Sequence, residues 1–94
     1  MAQTISGQVD ANGSVIGGKG FTVTKVETGK YNIAFSNSFT TAPAVVATIT
    51  QDEAWTTDTA VVWQASLNHA LLITGDRHQN QADRGFSFIA IGEA

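Results

Sequence analysis

Both arginines of the chain and one of its two histidines fall in one polar stretch, Gly75-Asp76-Arg77-His78-Gln79-Asn80-Gln81-Ala82-Asp83-Arg84-Gly85. A carboxylate accepts from two adjacent hydroxyls, a guanidinium donates a planar fork, and an imidazole does either. If the preceding strand runs past Gly75, the period of two puts Asp76 and His78 on one face, where both reach one ligand. That set suits the hydroxyls of a neutral sugar, and Asp76, Arg77, His78 and Arg84 are the candidate ligand-binding residues. Trp55, in the polar segment Asp52 to Thr59, adds a flat indole that either stacks on a sugar face or caps one end of the fold. Other readings stand beside this one. Asp76, His78 and Asp83 are chemically able to hold a metal, and in a threefold assembly three copies of one histidine can meet an ion on the axis. The plainest reading is a solvated loop whose aspartates and arginines pair with one another.

Other chemistries find less in the chain. Ser66 precedes His69 by three residues, but no G-x-S-x-G elbow surrounds it. Asp52-Glu53 are adjacent loop carboxylates that point apart and cannot flank one bond. Asp10-Ala11-Asn12-Gly13 begins like a calcium loop without the closing bidentate Glu, and a hairpin turn accounts for the same residues. Gly17-Gly18-Lys19-Gly20 is glycine-rich but precedes a strand rather than the helix a phosphate loop needs. No enzyme, metal or cofactor is therefore expected.

The elements that must position these residues are strands. Phe21-Thr22-Val23-Thr24 and Tyr31-Asn32-Ile33-Ala34-Phe35 alternate apolar and polar around a turn at Glu27-Thr28-Gly29-Lys30, predicting an antiparallel hairpin. Pro43 starts a strand at about Ala44 to Gln51. Further strands are expected at Ala60 to Leu67, Ala70 to Thr74 and Phe86 to Ile91, with Asn68-His69 as a tight connection. Short strands at this spacing, with no helical periodicity, predict a small antiparallel β-sandwich of six to eight strands. Gly7-Gln8-Val9 and Ser14-Val15-Ile16 are shorter strand candidates. Residues 1–20 are expected to be an edge or stalk segment, and residues 21–94 the sandwich domain.

The runs Val45-Val46-Ala47, Val61-Val62-Trp63, Leu71-Leu72-Ile73 and Phe88-Ile89-Ala90-Ile91 place apolar residues on both faces of their strands. With no helix to cover a second face, another copy of the chain is the expected cover, and Val46, Val62, Leu71 and Ile89 are assigned to it. Trp63 is expected in the core or at that interface. The alternative is a thin barrel with some exposed Val and Ile.

Composition bounds the rest. The 94 residues and 9.9 kDa suit one domain. Charged residues are 14% of the chain against a usual share of about 25%. Net charge −3 and a pI near 5.0 offer little to phosphate backbones, so no nucleic-acid partner is expected. Met1-Ala2-Gln3-Thr4 starts neither a basic nor an apolar leader, and the longest apolar run, Ala42 to Ala47, is too short for membrane insertion. The chain has no cysteine, so disulfides and thiolate chemistry play no part.

Two resemblances follow. The segments Gly20-Phe21-Thr22-Val23, Gly29-Lys30-Tyr31-Asn32-Ile33-Ala34-Phe35, Phe39 and Pro43-Ala44-Val45-Val46-Ala47 resemble short β-sandwich modules of phage tail fibres and bacterial surface proteins. From Phe35 onward the chain also resembles the H-type lectin domain: Phe35, Phe39, Pro43 and Val45 match F-x-x-x-F-x-x-x-P-x-V, and Phe88, Ala90 and Gly92 match a closing aromatic-x-A-x-G strand. The resemblance implies a metal-free trimer that binds galactose or N-acetylgalactosamine between subunits, with Asp76, Arg77, His78 and Arg84 as the comparable polar set. Phe88 stands where the family often has Trp or Tyr. The fibre resemblance implies a receptor-binding tip domain of a longer protein, at a virion or extracellular surface. The alternative function is a structural trimerisation or capping domain that holds no ligand.

Overall fold

Alternation of apolar and polar side chains becomes alternation of burial. The computed structural model describes residues 2–50, 58–76, 78 and 80–94. Among these are eight strands and no helix: β1 (Ala2–Val9), β2 (Val15–Gly18), β3 (Phe21–Glu27), β4 (Lys30–Phe35), β5 (Ala44–Ile49), β6 (Thr59–Ala65), β7 (His69–Gly75) and β8 (Phe86–Glu93). They form two four-stranded sheets, ordered β2-β1-β8-β5 and β3-β4-β7-β6, with every pairing antiparallel. The two sheets enclose the core of an antiparallel β-sandwich.

Each central strand sends every second residue inward. Ile5 and Val9 come from β1, Tyr31, Ile33 and Phe35 from β4, Ala70, Leu72 and Thr74 from β7, and Phe86, Phe88 and Ala90 from β8. Aromatic rings join the sheets edge to face: Phe21 meets Phe88 at 4.8 Å between centroids, and Tyr31 meets Phe86 at 5.1 Å. Such T-shaped pairs bring the positive ring edge to a negative ring face. The buried polar side chain of Thr74 is satisfied by donating to the Ala82 carbonyl at 2.5 Å.

The first twenty residues supply half of one sheet. β2 lies at its edge, but β1 lies inside it, paired with β8 from Ala2↔Glu93 to Val9↔Phe86. Inward positions of β1 include only two large apolar residues, Ile5 and Val9, so its alternation is faint. Gly7, between them, has to be small: a Cβ there would come 2.2 Å from the Phe21 ring.

The two-sided apolar runs resolve into faces, with two corrections. Val62 packs against the core, and the outward residue of that pair is Val61, 52% exposed. Trp63 is not a core residue. It sits at an irregularity in the β6–β7 register, between Val62 and Gln64, and is 54% exposed.

Candidate functional site

The strand before the 75–85 stretch stops at Gly75, and a turn begins there. Asp76 donates its N–H to the Asn80 carbonyl at 2.9 Å, and its Oδ1 accepts from the N–H groups of His78 (2.8 Å) and Asn80 (3.1 Å). Asp76 and His78 are thus neighbours across a turn, not along one strand face. The same arrangement closes the β1–β2 hairpin. There the Asp10 Oδ1 accepts from the N–H groups of Asn12 and Ser14, both at 2.9 Å, and the Asp10 N–H donates to the Ser14 carbonyl. The Asp10-Ala11-Asn12-Gly13 segment is therefore a turn held by its own aspartate, as such side chains commonly provide. Asn80 N–H donation holds the Asp76 carboxyl below the usual carboxylate range, and the His78 N–H and the nearby His78 and Arg84 charges act in the same direction.

The second half of the stretch is fastened to the β3–β4 hairpin. Asp83 forms an ion pair with Lys25, and its Oδ1 accepts from the Gly29 N–H at 2.8 Å. The Lys25 hydrogen bond holds the Asp83 carboxyl below its ordinary value, helped by the Gly29 N–H and the Lys25 and Arg84 charges. Gly29 turns with φ 72°, and a Cβ there would lie 2.7 Å from the Thr74 carbonyl oxygen and 2.9 Å from the Ala82 nitrogen. Only glycine accepts both the conformation and the contact. Arg84 donates through Nε to Asp58 Oδ2 at 3.0 Å and through Nη1 to the Asp83 carbonyl at 2.9 Å, while the Asp58 side chain is 1% exposed. The Tyr31 hydroxyl donates to the Ala11 carbonyl at 2.6 Å, linking the Asp10 turn to the same end of the sandwich. Burial pushes the Tyr31 phenol up, and the Asp83 charge adds to it.

Of the sequence-predicted site residues, Asp76, His78 and Arg84 lie at this end, with His78 and Arg84 near enough to hold the Asp76 carboxyl down. Trp55 and Arg77 lie outside the described residues. Sequence reasoning missed Lys25, Gly29 and Asp58 as partners of the stretch. These pairings span separations of 58, 54 and 26 residues, and no local pattern encodes them. Among the described residues, no group of three or more His, Asp or Glu is placed to hold a metal ion.

At the other end of β6, Ser66 Oγ lies 2.8 Å from His69 Nδ1, which also lies 3.0 Å from Asn68 Oδ1. The Ser66 N–H donates to the His69 carbonyl, so these contacts close the β6–β7 turn.

Each sheet also presents an outer face. On the outer face of the β2-β1-β8-β5 sheet, register aligns Thr4–Ile91–Ala44, Ser6–Ile89–Val46 and Gln8–Ser87–Thr48 in three rows without a charge. Val46 is 64% exposed, Ile91 51% and Ile89 42%, and a shallow apolar depression runs between Val46 and Ile89. The outer face of the other sheet is mixed. It carries Trp63, with Lys30 Nζ 5.3 Å from its ring centroid, and the Lys30–Glu27 ion pair at 2.7 Å.

Comparison with protein-family models, with curated proteins and with solved structures finds no match.

Proposed function

We propose that the chain is a non-enzymatic, lectin-like or receptor-binding β-sandwich module that works as a homotrimer and recognises a galactose-type glycan. The observation that carries the assembly is the three rows without a charge on the outer face of β1, β8 and β5, where Val46, Ile89 and Ile91 are exposed side by side and Glu93 stands at the end of β8. Interface cores are depleted of charge and enriched in apolar area, as these rows are. The threefold order and the sugar class rest on the lectin resemblance. The grouping of Asp76, His78 and Arg84 at one end supports a polar recognition site there.

A second reading, a trimerisation or capping domain with no ligand, is favoured by a specific observation. The carboxylates of Asp76 and Asp83 and the guanidinium of Arg84 already make hydrogen bonds within the chain. Calorimetry with galactose and N-acetylgalactosamine separates the two: heat of binding supports the lectin-like module, and an oligomer that binds neither sugar supports the cap.

A further inference from the structure

We propose a second sugar site at Trp63, on the outer face of the β3-β4-β7-β6 sheet, where the sugar stacks on the indole and the Glu27–Lys30 pair supplies its polar contacts. This rests on the carbohydrate-binding reading above and stands apart from the polar site proposed at the 75–85 stretch.

The β6–β7 register pairs Val62 with Leu72 and Gln64 with Leu71, leaving Trp63 as the extra residue of a bulge. Bulges re-aim side chains out of the regular alternation. Here the bulge leaves more than half of the largest side-chain type exposed, in a chain whose core is built from Phe, Tyr, Ile and Leu. Exposing that much apolar ring forgoes burial that would otherwise stabilise the fold.

The surroundings have the chemistry of a sugar. Register across the sheet sets Lys30 beside Ile73 and Asn32 beside Leu71, giving an apolar floor flanked by polar ends. Lys30 lies over the indole at 5.3 Å and holds Glu27 at 2.7 Å, while the Glu27 side chain is 57% exposed. A pyranose has one face of C–H groups and a rim of hydroxyls. The indole suits the first, and the second suits an ammonium donor, a carboxylate acceptor and an amide that is both. The ion pair also argues against a second copy on this face, because charge is depleted at interface cores.

The test is calorimetric titration of the full chain with galactose and N-acetylgalactosamine, using wild type, Trp63→Ala and Trp63→Phe, with circular dichroism and native mass for each. Losing roughly 50 Å² of apolar contact weakens binding about tenfold. Trp63→Ala is expected to show that loss with unchanged fold and mass, and Trp63→Phe to recover most of it. In proton–nitrogen spectra, the indole N–H resonance absent from Trp63→Ala should be the one that shifts on titration. Wild-type binding with equal affinity in Trp63→Ala overturns the Trp63 site and leaves the carbohydrate reading standing. Failure of wild type to bind either sugar overturns both. Dissociation of the oligomer by Trp63→Ala overturns the assignment by making Trp63 an interface residue.

Discussion

Asp10 and Asp76 close their turns alike, each carboxylate accepting from the N–H groups two and four residues on. Asp83 adds a longer tie, to Lys25 and Gly29. These roles have a pH signature whose sign is fixed. Asp76 and Asp83 are held below the ordinary carboxylate range when folded, so on acidification the unfolded chain takes up protons first. Their contribution is present above about pH 4 and is lost as pH falls through the lower folded values. Urea midpoints should therefore drop between about pH 5 and pH 2, and Asp83→Asn should flatten part of that drop. An unchanged slope in the variant would assign the acid sensitivity to other carboxylates. The polarity of the 75–85 stretch was legible from its residues. Its partners were not, because Lys25, Gly29 and Asp58 come from distant positions that only the sandwich brings together.

Strand placement was largely written in the alternation. The hairpin of β3 and β4 falls where Phe21 to Thr24 and Tyr31 to Phe35 predict it, and β5 to β8 follow the apolar runs within a few residues. The residues that carried the family resemblances are packing residues. Phe35 meets Phe39 edge to face at 5.3 Å, Pro43 is buried, and a Cβ on Gly92 would lie 2.8 Å from the Phe39 ring. They report a sandwich end rather than a binding site. Two features escaped the sequence. Only the Gly7-Gln8-Val9 end of β1 was read as strand, and the rest was hidden because Gly7 and Gln3 occupy inward positions that an apolar residue would have marked. The facing of Val61 and Val62 was hidden because two adjacent valines carry no parity, which their strand partners and the bulge at Trp63 decide. The pair gives an element-level prediction. Val62→Asp puts an unpaired carboxylate against the core and should destabilise by about 3 kcal/mol or more, whereas Val61→Asp should cost under about 1 kcal/mol. Thermal melts of the two variants check it, and equal losses would contradict the assigned faces.

At the scale of the molecule, the two sheets offer unlike outer faces. The β2-β1-β8-β5 face has three rows without a charge, aliphatic side chains set among Ser, Thr and Gln, with Glu93 at one end, while the opposite face carries an exposed indole and an ion pair. One face suits contact with another copy, and the other suits contact with a hydrated ligand. The assembly is the claim on which the rest leans, since a lone sandwich would leave Val46, Ile89 and Ile91 in water. Sedimentation equilibrium at micromolar concentration, on wild type and on Ile89→Lys, tests it most directly. Wild type is expected to sediment as a trimer of the 9.9 kDa chain and Ile89→Lys as a folded monomer, since residue 89 is already 42% exposed in the single chain. A wild type that sediments as a well-behaved monomer would contradict it.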